Sequence, residues 1–165
     1  MNQLFKITSI AILFFLFACD DAENLVDNLQ AYEASAMING ERWEAAPGEV
    51  IFVNEEDSQT GLTTLAILLN GDTSFFTFSI VEPETTTYSI DISNGALPVF
   101  GSFFLGTDTQ DYYQLEDGAF TIDRLEENLV SGTFEGTFRH ITDLDVLEVT
   151  DGVFYLPQGE GWIQP

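Results

Sequence analysis

The stretch that decides the fold of this 165-residue chain is Gly132-Thr133-Phe134-Glu135-Gly136-Thr137-Phe138-Arg139. Glycine and phenylalanine alternate on one face of an extended strand, and threonine and charged residues occupy the other face. Because the side chains of a strand point alternately to its two faces, this pattern predicts one packed face and one solvated face. Glycine inside a strand commonly marks a bend or a close backbone approach, so the stretch also predicts a strongly curved sheet.

Turn dipeptides divide the rest of the chain after Ala31 into short runs: Asn39-Gly40, Asn70-Gly71, Asn94-Gly95, Asp117-Gly118 and Asp151-Gly152. Each is a strong signal for a tight hairpin. The runs between them are rich in Thr, Phe, Val, Ile and Tyr, which favour strands over helices. We therefore predict an all-β domain of roughly nine strands. Its antiparallel sheet could form a β-sandwich or a partly open β-barrel.

Two runs, 65–69 and 99–105, are apolar on both faces. Such runs are typical of central strands or of strands beneath a covering loop. We expect core packing there rather than a hydrophobic pocket.

The N-terminus has the layout of a secretory signal, with Lys6 followed by an uncharged apolar run from Ile7 to Ala18. A helix of that length would span about 18 Å, well short of the ~30 Å hydrocarbon core of a membrane. The run ends in Leu16-Phe17-Ala18-Cys19, which resembles the bacterial lipobox. We expect residues 1–18 to be removed and Cys19 to carry lipid such as palmitate, although an ordinary signal peptide containing a cysteine is the alternative.

Residues 19–31 are predicted to be an acidic tether or a short helix. Leu25, Leu29 and Tyr32 recur at helical spacing, but a helix of this length is marginal on its own and would need to dock on the domain. The remaining residues, 32–165, are predicted to form a single β domain.

The charge is strongly one-sided. All 28 acidic residues follow Cys19, and the only fixed cations after it are Arg42, Arg124 and Arg139. Such a field repels nucleic acid and anionic head groups, so nucleic-acid partners are not expected. Since the acids are spread along the whole chain, they favour solubility in salty surroundings over an acidic docking surface.

Groups for catalysis are few. His140 is the only histidine, and the chain has no Gly-x-Ser-x-Gly elbow. A lone histidine is more often a surface or capping residue, and acylation of Cys19 would consume the only thiol. A glycan hydrolase using two carboxylates stays open as an alternative, because so many acids make pairs unavoidable.

The sequence also gives little indication of a metal site. Zinc and iron usually need several His or Cys ligands, which this chain does not have. Calcium needs only oxygen ligands. The loops at 55–58, 107–111 and 143–145 offer carboxylates, among them Asp108, Asp111, Asp143 and Asp145. None follows the twelve-residue calcium loop, so no cofactor is expected, and a calcium-stabilised structural module is an alternative.

Aromatic side chains give the better indication of a ligand surface. Trp43, Tyr112, Tyr113 and Trp162, with Tyr155 as a further candidate, would suit stacking on a sugar or binding of a peptide if exposed. Half or more of them should instead pack in the core or at an edge. Trp162, near the C-terminus, is predicted to be the most exposed.

The order of motifs resembles a domain of unknown function found widely in lipoproteins of Bacteroidota. The first hairpin, 36–45, has an Asn-Gly turn followed by Trp43, and two later segments, 118–125 and 131–138, look like that family's penultimate hairpin. The segment 149–154 looks like its final strand. This resemblance implies a location and a fold class but no activity and no catalytic residues. The absence of lysine after Lys6 departs from the family's usual composition.

Asp20-Asp21-Ala22-Glu23 resembles the signal that exports such lipoproteins to the cell surface. Surface display and a periplasm-facing position on the outer membrane both stay open. We expect a lipid-anchored outer-membrane lipoprotein that acts as a non-catalytic binding or accessory module. Its partner would be an envelope protein or a glycan, in addition to the membrane that holds the lipid on Cys19.

Overall fold

The computed structural model describes residues 33–46, 50–95, 98–106 and 112–157. Within these ranges the chain forms ten strands and one 3-10 turn at Ile92–Asn94. The strands are β1 (Glu33–Ile38), β2 (Glu41–Glu44), β3 (Val50–Glu56), β4 (Thr63–Asn70), β5 (Ser74–Val81), β6 (Thr87–Asp91), β7 (Val99–Leu105), β8 (Tyr112–Glu126), β9 (Leu129–His140) and β10 (Val146–Pro157).

All strand pairs are antiparallel, in the order β2-β1-β10-β9-β8-β7-β5-β4-β3. The long strand β8 pairs with β9 along one edge. Its other edge is shared, because β7 pairs with its first residues and β6 with residues 117–121. The sheet curls until β3 contacts β10, which makes a half-barrel. The predicted all-β class is confirmed, with ten strands where the sequence indicated roughly nine.

The glycine–phenylalanine face of β9 points into the curl, as the alternation predicts. Phe134 and Phe138 are buried, and their rings lie 5.2 and 5.6 Å from that of Phe76 on β5. Thr133 and Glu135 point outward. The two long strands β8 and β9 therefore contribute one wall of an aromatic core that β5 completes from the opposite side.

Glycines allow the backbones of β8 and β9 to approach closely where the sheet bends. Gly118 and Gly136 face each other across the strand pair with φ of 148° and 155°, a region that favours glycine. A Cβ on Gly136 would lie 2.3 Å from the carbonyl oxygen of Asp117. A Cβ on Gly132 would lie 1.9 Å from that of Thr121, so the predicted close approach is confirmed.

Two of the turn dipeptides make the predicted hairpins. Asn39-Gly40 connects β1 to β2 with positive φ at both residues, as a two-residue hairpin turn requires. Asn70-Gly71 begins the turn from β4 to β5, where the Gly71 N–H donates to the carbonyl oxygen of Ser74 at 2.8 Å.

The other three predicted hairpins were wrong. Asp117-Gly118 and Asp151-Gly152 lie inside β8 and β10, at irregularities in the pairing where one strand carries an extra residue. Asn94-Gly95 ends the 3-10 turn and leads to β7, which does not pair with β6. A β-bulge uses the same positive-φ residues as a tight turn, so the dipeptide alone cannot separate the two.

The two runs that are apolar on both faces lie in β4 and β7, and both are central strands of the sheet, which was one of the two expectations for them. Each strand is buried on one face only. Leu65, Ile67 and Leu69 point into the core, whereas Ala66 is exposed between them. On β7, Phe100 points outward and is 51% exposed. Core packing is therefore confirmed for the inward residues of these strands. It was wrong for the outward residues, which no described element covers.

The expectations for residues 1–32 lie outside the described residues, including the signal peptide, the lipidated Cys19 and the short N-terminal helix. Among the residues that are described, no helix has the length and apolar character needed to cross a membrane.

Gly132→Ala should unfold the domain at much lower urea concentration than Gly101→Ala. At position 132 the added Cβ meets the fixed backbone of Thr121, whereas at 101 it meets side-chain atoms of Leu115 and Phe78 at 2.9 and 3.0 Å. We expect losses of about 3 and about 1 kcal/mol in the free energy of unfolding, the range typical of overpacking. Equal midpoints in a urea titration would contradict the role of backbone contact at Gly132.

Candidate functional site: the mouth of the curled sheet

A concave opening, here called the mouth, lies at one end of the curled sheet. Inward-facing residues near the end of β1, the end of β7 and the start of β10 come together there. Its volume is about 430 Å³. The mouth is lined by Ile38, Asn39, Glu41, Arg42, Trp43, Ser74, Phe103, Leu105 and Leu147. A cavity of this size is within the range of small-molecule sites, which often occupy the mouths of β-barrels.

Trp43 is the centre of the mouth. Its indole N–H donates a hydrogen bond to the Ser74 hydroxyl at 3.0 Å, and its ring packs edge-to-face against Phe76 at 4.9 Å. Gly71 makes this arrangement possible, because a Cβ there would lie 2.9 Å from the Trp43 nitrogen. The turn that orients β4 against β5 thus also fixes the tryptophan.

The rim of the mouth is polar and its floor is apolar. Arg42 forms an ion pair with Glu44 at 2.5 Å, and the two side chains are 69% and 62% exposed. A pair so exposed contributes little to stability. Phe103 is buried beneath, while Leu105 is 55% exposed at the edge. The mouth therefore offers apolar contact at depth and hydrogen-bonding groups at its opening.

The structure brings two of the predicted ligand-surface residues to this end of the sheet. Tyr113 points inward, with its ring 6.4 Å from that of Phe103. Phe103 in turn lies 4.5 Å from Phe76, the ring that Trp43 contacts. Trp43 and Tyr113 are thus linked through the core, but only Trp43 lines the mouth.

The other candidates lie elsewhere. Tyr112 points outward and stacks on Phe104 at 5.2 Å, because neighbouring strand residues face opposite sides. Tyr155 is half-buried on β10. Trp162 lies outside the described residues, so its predicted exposure stays a prediction.

Sequence reasoning missed Ser74, Leu105 and Leu147 as mouth residues. Ser74 follows the Asn70-Gly71 turn and is buried, which sets it beneath Trp43, 31 positions away in the chain. The period-two pattern marks all three as inward-facing, but only strand order could show that they meet.

His140 caps the turn between β9 and β10. It is buried, and its Nδ1 lies 2.5 Å from the Asp143 carboxylate and 3.1 Å from the Thr142 hydroxyl. The Asp143 backbone N–H points to the same nitrogen at 3.3 Å. His140 is thus buried rather than on the surface, and its Nδ1 lies within hydrogen-bonding distance of two residues of the turn that follows it.

The calcium candidates do not assemble within the described residues. Asp143 contacts His140 and accepts the backbone N–H of Asp145 at 3.2 Å, while Asp108 and Asp111 are not described. In the described ranges, no three or more His, Cys, Asp or Glu side chains are grouped so that they could hold a metal.

In the loop at 55–58, Asp57 accepts the backbone N–H groups of Gln59 and Thr60, each at 2.8 Å. The hydrogen bond from Thr60, followed by that from Gln59, lowers the pKa of this carboxyl below its usual 3.8. Asp57 is thus a turn-stabilising residue between β3 and β4.

A second surface, here called the neutral face, is formed by the outward side chains of β3, β4, β5 and β7. It contains a groove of about 370 Å³ lined chiefly by apolar groups, among them Ile51, Val53, Ala66, Leu68 and Phe100. Beside the groove, the rings of Phe75 and Phe104 stack in parallel with centroids 4.5 Å apart.

Comparisons with protein-family models, with curated proteins and with solved structures found no match to this chain.

The Trp43–Ser74 hydrogen bond can be tested with a double-mutant cycle. Trp43→Phe and Ser74→Ala should each lower the free energy of unfolding, with the bond itself contributing about 1 kcal/mol. Because both remove the same bond, the double variant should lose less than the sum of the two, by about that amount. Strictly additive losses in urea unfolding would show that the two side chains are energetically independent.

Proposed function

We propose that this chain is a lipid-anchored, non-catalytic binding module of the bacterial outer membrane that takes a neutral sugar unit of an envelope glycan in its mouth. The observation that carries the proposal is the mouth itself, with a half-buried indole at its centre and polar groups at its rim. The aromatic ring supplies a flat apolar surface for the C–H face of a sugar. Asn39, Glu41 and Arg42 supply donors and acceptors for its hydroxyl groups.

The charge of the chain favours a neutral ligand. With 28 acidic residues against three arginines after Cys19, an anionic ligand approaches against a strongly negative field. Arg42, the arginine at the mouth, is already paired with Glu44. A neutral sugar meets no such barrier, and its hydroxyl groups match the rim.

Support for the location comes from the sequence. The apolar run before Cys19, the Leu16-Phe17-Ala18-Cys19 motif and the resemblance to Bacteroidota lipoproteins agree on an envelope lipoprotein. The stretch Asp20-Asp21-Ala22-Glu23 resembles a surface-export signal, and display at the cell surface and a periplasm-facing position both stay open. A single acylated cysteine with two or three chains suffices for stable anchoring.

Ligand binding can be followed through the fluorescence of Trp43, since Trp162 is the only other tryptophan and Trp162→Phe removes its signal. Neutral oligosaccharides from bacterial envelopes should change this signal in a saturable manner. In the same background, Leu105→Arg should weaken binding at least about tenfold by filling the mouth, a loss of ~1.4 kcal/mol.

The matched control is Phe100→Arg, which places the same side chain at a similarly exposed position on the neutral face. It should leave the affinity within about twofold, because it lies outside the mouth. Equal effects of the two substitutions, or no response to any neutral sugar, would refute the proposed site. Release of reducing ends during the titration would support the carboxylate-pair hydrolase instead.

The anchor is tested separately with Cys19→Ala in a bacterial host that processes lipoproteins. The variant should fail to incorporate labelled palmitate and should leave the membrane fraction, because the thiol that carries the lipid is gone. Ser58→Ala, far along the chain from the processing site, serves as the control and should remain labelled. A labelled, membrane-bound Cys19→Ala product would rule out lipidation at this residue.

A further inference from the structure

The neutral face is exceptional in a chain of this charge. Every described outward side chain of β4, β5 and β7 is uncharged. The outward positions of β8, β9 and β10 carry many of the acids instead: Glu116, Asp117, Glu135, Glu148 and Asp151. The described outward positions of these three strands therefore carry no charge, although the acids are spread along the whole sequence.

This face also exposes apolar side chains. Phe100 is 51% exposed, Val81 is 40% exposed, and Ala66 lies open in the groove between β3 and β7. Contiguous apolar surface rimmed by polar residues marks a contact site in soluble proteins. The groove is therefore a candidate contact site.

The chain enters the sheet beside this surface. β1 begins at Glu33, which pairs with Tyr155 near the end of β10. β10 is the strand that β3 contacts where the sheet curls, and β3 carries Ile51 and Val53 at the edge of the groove. Backbone hydrogen bonds also bring the start of β1 near β4, since Ala45 donates to Ala34 of β1 and Ala46 donates to Asn70 of β4. The segment before Glu33 thus begins near the end of a strand that lines the groove.

We propose that residues 25–32 dock in this groove and cover the neutral face. Leu25, Leu29 and Tyr32 recur at the spacing of one helix face. Eight helical residues span about 12 Å, close to the ~14 Å between the outer two of four adjacent strands. A helix that is too short to be stable alone gains its stability from such packing.

The tether is favoured over a second copy of the chain for two reasons. A segment joined directly to the domain has an effective concentration in the millimolar range, which no free partner reaches at ordinary protein concentration. A second copy also brings another formal charge of −24 close to the first. The segment instead directs its apolar residues to an uncharged surface.

Disulfide trapping tests the docking in the mature chain, residues 19–165, with Cys19→Ser as the background. Leu29→Cys combined with Ala66→Cys should form an intramolecular disulfide on mild oxidation. The control replaces Ala66→Cys with Glu135→Cys, an equally exposed position on the outward side of β9. The groove pair should react about tenfold faster than the control, because docking raises the local concentration.

Equal rates for the two pairs would overturn the docking proposal, and a predominantly intermolecular disulfide with Ala66→Cys would assign the groove to a second copy. A second measurement does not depend on introduced thiols. Leu25→Asp with Leu29→Asp should uncover the groove and increase the fluorescence of an apolar dye severalfold. Phe100→Arg in addition should remove this increase, and unchanged dye binding in the double variant would contradict the proposal.

Discussion

The close approach of backbone at the glycines of β8, β9 and β10 is the constraint on which the rest of this structure depends. At Gly118 and Gly136 a carbonyl oxygen of the partner strand lies where a Cβ would stand. The same holds at Gly132, four residues before Gly136. The sheet can therefore bend sharply instead of continuing as a shallow twist. That bend carries the inward phenylalanines of β9 to those of β5, and it creates both a closed core and an open mouth.

Aromatic packing complements the bends. The rings of Phe76 and Phe78 lie parallel at 6.1 Å, and Phe78, Phe120 and Phe154 continue the contacts across the interior at 4.8 and 5.2 Å. Large aromatic rings fill the space beside the glycines, so the core depends on glycine and phenylalanine lying next to each other. Burial of such rings on folding outweighs the repulsion among the surface acids, which solvent and salt screen effectively.

The sequence predicts the packed faces well and the connections poorly. Alternation is local, so Phe134 and Phe138 could be assigned to the interior from their neighbours alone. A bulge and a hairpin both require a dipeptide such as Asp117-Gly118 that tolerates positive φ. Only the pairing with the partner strand shows which of the two is formed. The mouth could not be predicted from the sequence for the same reason. Trp43 contacts Ser74 only because strands that are distant in the chain come together. Tyr112 and Tyr113 illustrate this limit of the sequence, since these neighbouring aromatic side chains point to opposite faces of the sheet.

The direction of β1 determines where the mouth lies relative to the N-terminal end of the domain. The strand begins at Glu33 beside Tyr155, near the end of β10, and it finishes at Ile38 in the mouth, which Leu147 lines from the start of β10. The strand therefore joins the point where the chain enters the sheet to the cavity. If the domain is held by its N-terminal segment, as proposed, only the six residues of β1, about 20 Å of extended chain, separate the anchored end from the mouth.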